Sequence, residues 1–320
     1  MKKKFIAVIL TAAILTGCSN TPTILLTYSE SNQDEYQYEQ PENIDIAEFF
    51  ATDLTVIPDD LNHMQNSDIT ATSSLIINTS DDEVLYANNV YQRLYPASLT
   101  KLITALVVLR QGDLNDTVTI SYNASHITES GAKLCGFKEG DKVKLDALLN
   151  SLLVYSGNDA GIAIAEHIGG SEAGFSKLMN ETAKSIGAVH SNFINAHGLH
   201  DDNHYTTAYD LYLIFNELLM YDKFVSIINQ ASYTIQYTDK DNHPKEVQFL
   251  NTNRYLKGLE TAPEGITVTG GKTGTTSKAG NCLILHSKDS NNKSYVSLIM
   301  QASDGNSLFS QMTKLLNMIP

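Results

Sequence analysis

Two hydrophobic rhythms divide the chain. Residues 70–80, TATSSLIINTS, and 83–89, EVLYANN, carry the β-branched composition of strands around a polar Ser-Asp-Asp turn, which predicts a hairpin. From Ser98 to Arg110 the chain is apolar nearly all round and is stopped by Gly112, the pattern of a central helix with no wet face. Helical spacing recurs over 145–155, 159–168, 172–186 and 207–220, the last opened by Thr207-Ala-Tyr-Asp210, a capping box with Asp in place of Glu or Gln. After residue 230 strand character returns in YTIQY, ITVTGGKT, GNCLILHS and SYVSLIM, and Ser307 to Met318 reads as a closing helix. Strands at both ends with helices between them predict an α+β (mixed α/β) domain. One sheet is assembled from the two ends of the chain, and the middle forms an inserted all-helical subdomain.

The first 67 residues follow neither rhythm. MKKKFIAVILTAAILTGC has a charged head at Lys2, Lys3 and Lys4 and an apolar run too short to span a bilayer, so residues 1–18 read as an export signal. Leu15-Thr16-Gly17-Cys18 has the form of a lipobox, with Cys18 as the lipid-bearing residue; acylation there would hold the protein on the outer face of the bacterial cytoplasmic membrane. Residues 19–67, with SESNQDEYQYEQPEN, lack apolar periodicity and read as an acidic, solvated tether. The folded domain is then expected over 68–320.

Charge sharpens this division. Of the net −14, the segment from Ser19 to Gln92 holds fourteen acidic residues and no Lys or Arg, whereas Arg93 onward holds 19 basic and 22 acidic residues. The acidity belongs to the tether. No basic stripe exists to meet phosphates, so nucleic acid is not an expected partner. Cys135 and Cys282 are expected to be separate buried thiols.

The apolar helix contains the first candidate chemistry. In PASLTKLITALVVL, Lys101 follows Ser98 by one helical turn with no acidic residue nearby in sequence. A buried ammonium escapes its desolvation cost by losing its proton, which makes Lys101 a candidate base for the hydroxyl on the same helix face. Two further motifs follow in order: Ser156-Gly157-Asn158 at a helix–helix turn, and Lys272-Thr273-Gly274-Thr275 on a strand.

In this order the three motifs resemble those of the serine penicillin-recognising enzymes. The longer stretches RLYPASLTKLITAL, LLVYSGNDAGIAIAEHIGG, NFINAHGLHDDNHYTTAYDL and VTGGKTGTTSKAGNCL are similar to the low-molecular-weight D-alanyl-D-alanine carboxypeptidases of the S11 serine peptidase family. The resemblance runs from about residue 69 to the end of the chain. It implies a DD-peptidase/β-lactamase-like fold with an antiparallel sheet. It also implies catalytic roles for Ser98 (nucleophile), Lys101 (base), Ser156 (proton relay) and Asn158 (orienting amide). Lys272, Thr273, Gly274 and Thr275 would bind the substrate, with Lys272 as the cation that keeps Lys101 neutral. The implied partners are peptidoglycan stem peptides ending in D-Ala-D-Ala, β-lactam antibiotics as covalent inhibitors, and the membrane through lipidated Cys18. No cofactor and no metal are implied. The chain departs from the family in QASDGNSLFSQ, which lacks an arginine, so carboxylate anchoring is expected to lean on Lys272, Thr273 and Thr275 with Lys278.

Three rival readings remain. His197, His200 and His204 in HGLHDDNHY, with Asp201 and Asp202, could ligate zinc, although their spacing is that of a loop. A serine β-lactamase would need a carboxylate to activate the hydrolytic water, for which Glu166 is the nearest candidate after the middle motif. A non-hydrolytic penicillin-binding sensor is a third possibility that the intact set of hydroxyls and lysines argues against.

Overall fold

The hairpin predicted at the start of the domain is present: β1 (Ser73–Asn78) and β2 (Glu83–Asn88) pair antiparallel. The computed structural model describes residues 55–320. The export signal, Cys18 and the tether up to residue 54 lie outside the described residues. After the hairpin a 3₁₀ turn (Ala97–Thr100) leads into α1 (Lys101–Gln111), followed by β3 (Thr117–Thr119), α2 (Tyr122–Ser125), β4 (Lys142–Lys144) and α3 (Leu145–Asn150). A π-helical turn (Ser151–Tyr155) joins α3 to α4 (Asn158–Gly169), and α5 (Glu172–Ser185), α6 (Ala208–Leu219) and α7 (Asp222–Ile228) complete the helical middle. The chain closes with β5 (Ser232–Thr238), β6 (Pro244–Leu250), β7 (Thr267–Thr276), β8 (Gly280–Lys288), β9 (Ser294–Ala302) and α8 (Gly305–Leu316).

The main sheet has the order β2-β1-β9-β8-β7, every pair antiparallel, so the two ends of the domain do meet in one sheet. The expectation of an all-helical insertion needs correction. A second sheet, β3-β4-β5-β6, sits within it and takes YTIQY away from the main sheet. β3 and β4 are three residues each, too short to show any period. β6 opens on Pro244 and is mostly exposed, as suits an edge strand.

The apolar run of α1 is explained by its position. Leu102, Ile103, Ala105, Leu106, Val107 and Val108 are all buried in the main core, between the sheet and the surrounding helices. Each such Leu, Ile or Val contributes about 1.5–3 kcal/mol on burial, so this helix is fixed from its start to Val108. A second core lies under α8, where Leu308, Phe309, Met312, Leu315 and Leu316 pack on Leu283, Leu285 and Ile299. Thr207 caps α6 as expected, accepting from Asp210 N at 3.0 Å. The Asp210 carboxylate does not close the capping box; it accepts from His190 N and Ser191 Oγ instead.

Residues 55–67 belong with the domain and not with the tether. Ile57 is buried in the main core, Thr55 Oγ1 lies 3.0 Å from Tyr212 Oη, and Asn62 Oδ1 accepts from Val90 N at 2.7 Å. Among the described residues no helix is long and apolar enough to cross a membrane.

Candidate active site

Ser98 sits on a strained turn. Ala97 before it has φ +48°, a left-handed conformation that costs a non-glycine residue about 1–2 kcal/mol. The turn is held from outside. Thr100 Oγ1 donates to Ala97 O at 2.8 Å, and Gly198 lies so close that a Cβ there would stand 1.9 Å from Ala97 O. Across the cleft, a Cβ on Gly274 would meet Ser98 N at 3.0 Å. The glycine therefore lets strand β7 press its backbone against the Ser98 amide.

Lys101, fully buried, approaches Ser98 Oγ at 2.9 Å. Its other two partners are Asn158 Oδ1 at 2.7 Å and the His197 carbonyl at 2.6 Å. Both of those oxygens can only accept. An uncharged amine has two N–H donors and one lone pair, so giving its donors to Asn158 and His197 leaves the lone pair for the Ser98 hydroxyl. Burial pushes the Lys101 pKa down to about 7, with the charge of Lys133 adding to the effect against opposing contributions from Cys135 and Asp159. Geometry and burial thus point the same way.

Ser156 closes the π turn in a left-handed conformation, φ 75°, with its amide bonded to Ser151 O at 3.1 Å. This aims its hydroxyl at Lys272 Nζ, which donates to it at 2.9 Å and to Thr273 O at 2.9 Å. Burial, and then the neighbouring charge of Lys101, push the Lys272 pKa well below its usual value. Both ammonium groups are therefore driven toward their neutral forms in the free site.

Strand β7 carries Lys272, Thr273, Gly274 and Thr275 and is an edge of the main sheet. Its unpaired side offers backbone groups to an extended peptide, as in strand addition. Thr273 Oγ1 donates to Thr252 Oγ1 at 2.6 Å, and Thr275 Oγ1 donates to Asn281 Oδ1 at 3.1 Å. A cavity of about 710 Å³ lies along this edge, lined by Ser98, Ser156, Asn158, Thr273, Gly274 and Thr275. The predicted residues from all three motifs are thus brought to one cleft, with Lys101 and Lys272 buried behind its wall. Sequence reading missed Thr252, Glu129, Ser130 and Lys133, which also line the cavity. These residues sit in irregular loops with no motif to mark them. Lys278 lies in the exposed turn beyond Ser277 and is not part of the lining.

The three histidines of HGLHDDNHY are engaged separately. His204 Nδ1 accepts from Ile194 N at 3.0 Å and its Nε2 lies 2.8 Å from Thr100 Oγ1, bracing the Ser98 turn; burial pushes its pKa down to about 3. His197 Nδ1 accepts from Leu199 N at 3.2 Å, while its Nε2 faces the Glu172 carboxylate at 3.6 Å. His200 pairs with Asp202 at 3.1 Å. Glu166 accepts from Asn123 Nδ2 at 3.0 Å and does not line the cavity. Cys135 and Cys282 are unpaired thiols, and burial pushes both pKa values up.

A serine and a lysine one helical turn apart, a Ser-Gly-Asn turn and a Lys-Thr-Gly strand are thus gathered at one cleft. Residues 60–304 match the peptidase S11 family, described as D-alanyl-D-alanine carboxypeptidase, and the chain belongs to that family. It is 33% identical over 254 residues to D-alanyl-D-alanine carboxypeptidase DacF of Bacillus subtilis, covering 77% of this chain and 61% of the relative. The corresponding figures for DacA of Haemophilus influenzae are 33%, 72% and 57%, so the chain spans about three fifths of the length of these relatives. Among solved structures, the DD-transpeptidase of Streptomyces K15 superposes with a TM-score of 0.72 at 26% identity, covering 80% of this chain and 98% of that one. Penicillin-binding protein 5 of Haemophilus influenzae gives 0.70 at 30% identity, covering 79% and 72%.

Proposed function

We propose that the protein is a serine D,D-carboxypeptidase that removes the terminal D-alanine from peptidoglycan stem peptides through an ester on Ser98. The observation that carries this reading is the Lys101 amine. It lies 2.9 Å from Ser98 Oγ with its two other contacts made to oxygens that can only accept.

In the first step Ser98 Oγ attacks the carbonyl carbon of the penultimate D-alanine while its proton passes to Lys101 Nζ. The backbone N–H groups of Ser98 and Thr275 are the donors for the resulting oxyanion, each worth about 3 to 4 kcal/mol of barrier by analogy with other such donors. With the substrate's terminal carboxylate favouring the cationic form of Lys272, protonation makes Lys101 a second positive charge beside it. That repulsion favours passing a proton onward, through the Ser156 hydroxyl, to the departing nitrogen. The C–N bond breaks and free D-alanine leaves. Water then attacks the ester carbonyl, gives a proton to Lys101, and restores the Ser98 hydroxyl as the shortened peptide departs. The substrate's terminal carboxylate would sit against Thr273 and Thr275. There it would stabilise the cationic form of Lys272 that burial disfavours.

The same attack on a β-lactam would leave a slowly released acyl-enzyme, since Glu166, the candidate activator of a hydrolytic water, does not line the cavity. Export and lipid attachment at Cys18 would place the enzyme on the membrane surface facing its substrate. The decisive experiment is D-alanine release from acyl-Lys-D-Ala-D-Ala, with and without chelator, alongside labelling by fluorescent penicillin. Labelling that Ser98→Ala abolishes, with chelator-insensitive release, is the expected result. A metal-dependent, penicillin-insensitive activity would overturn it.

A further inference from the structure

The wall of the cleft facing β7 carries a cation that the three motifs leave without a role. Lys133 lines the cavity from the loop between α2 and β4. This loop is pinned at Lys133 and just after it. Asn158 N donates to Lys133 O at 2.7 Å, and Cys135 N and Gly136 N each donate to the Asp159 carboxylate at 2.9 Å. The Lys133 side chain folds over the ring of Tyr155, with Nζ 4.1 Å from its centroid. Tyr155 stacks in turn on Phe249 of β6 at 4.5 Å. Tyr155 directly precedes Ser156, and Ser156 and Lys133 line the same cavity. Among the described residues no carboxylate lies within ion-pair distance of Lys133. Burial, and then the charge of Lys257, lower its pKa, and an arriving anion would favour its charged form against both.

Lys272 by itself is a poor clamp for a carboxylate. It already donates to Ser156 Oγ and Thr273 O, which leaves one N–H, and the Thr273 hydroxyl is directed at Thr252. A terminal carboxylate has two oxygens and room for several donors. We propose that Lys133 is a specificity-determining residue, the second cation that binds the terminal carboxylate of the substrate. This inference rests on the carboxypeptidase reading above and adds the source of the preference for a free carboxylate.

The test compares acyl-Lys-D-Ala-D-Ala with the same peptide ending in a carboxamide, using wild type, Lys133→Gln and Lys133→Arg. Hydrogen bonds to charged groups support an expected fall in kcat/KM of about tenfold or more for the free acid in Lys133→Gln. The fall should lie mainly in KM, with the amide changed less than about twofold and Lys133→Arg restoring most of the loss. An equal loss on both peptides would assign Lys133 to loop anchoring through Tyr155 and overturn the inference, as would no loss on either. Ser98-dependent penicillin labelling of the wild type reports on the parent reading separately. A labelled wild type with an unchanged acid-to-amide ratio in Lys133→Gln overturns this inference alone, and absent labelling overturns both.

Discussion

Lys272 Nζ donates to Ser156 Oγ across 2.9 Å and 116 residues of sequence, joining the edge of the main sheet to the helical half of the cleft. Ser156 meets it in a left-handed conformation at φ 75°, which a serine adopts at a cost of about 1–3 kcal/mol. The strain aims the hydroxyl, so stability and activity oppose each other at this residue. Ser156→Gly is expected to raise the denaturation midpoint, because glycine takes the same backbone freely, while lowering D-alanine release by about 10²- to 10⁴-fold. Ser156→Ala keeps the strain and loses the hydroxyl, so it should lose activity without the gain in stability. Urea titrations of both variants alongside turnover would decide the matter, and equal stability of the two would contradict the assignment of strain.

On the proposed mechanism the acylation rate depends on pH through Lys101. Only the neutral amine can accept the Ser98 proton, and its pKa lies at about 7. Below that value the rate of penicillin acylation should fall about tenfold per pH unit, and above it the rate should level off. Stopped-flow acylation from pH 5 to 9 reads this directly. A flat profile would show that another group takes the proton.

The same shift has a stability consequence with the opposite advantage. The folded-state pKa lies below the 10.5 of the unfolded chain, so between about 7 and 10.5 the unfolded state binds more protons. The penalty from Lys101 is therefore full below about pH 7 and shrinks as pH rises through that window. Lys101→Met should be inactive, more stable than wild type at pH 6, and less so at pH 9. The difference between the two unfolding free energies, measured by urea at each pH, isolates this group from the tyrosines that titrate at higher pH. A gap that stays constant with pH would place the lysine charged in the fold.

Most of this site was legible because its chemistry is local. Ser98 and Lys101 share a helix face, and an apolar run with one lysine is visible in any window. Thr273, Gly274 and Thr275 lie on a strand whose composition is unmistakable. The pieces that stayed hidden depend on distant partners. Thr252 matters only because Thr273 donates to it at 2.6 Å, and nothing in its own neighbourhood announces that. Lys133 resembles a surface lysine until Tyr155 is placed beneath it. The small sheet was missed for a related reason: β3 and β4 are Thr-Val-Thr and Lys-Val-Lys, with strand character conferred by pairing rather than by sequence. The packing of Ile57 was hidden by the acidic residues around it.

Glu172 and His197 provide a test of how finely Lys101 is positioned. The Glu172 carboxylate lies 3.6 Å from His197 Nε2, and the His197 carbonyl accepts from Lys101 at 2.6 Å. The bond to His197 holds the Glu172 pKa below its usual value, with Asn123 contributing in the same direction against burial. Neither residue need touch substrate; on the proposed mechanism they would aim one of the two acceptors that leave the Lys101 lone pair to Ser98. Glu172→Gln preserves shape and a hydrogen-bonding group, so its effect should be small. Glu172→Ala should loosen His197 and slow acylation by up to about 10²-fold, the scale set by ångström-level misplacement of a catalytic group. The loss should fall on kcat, with KM for the peptide little changed and the pH midpoint of acylation displaced. A purely structural role would lower the amount of folded protein without moving the pH profile of the active fraction, titrated by penicillin, and that outcome would remove Glu172 from the positioning of Lys101.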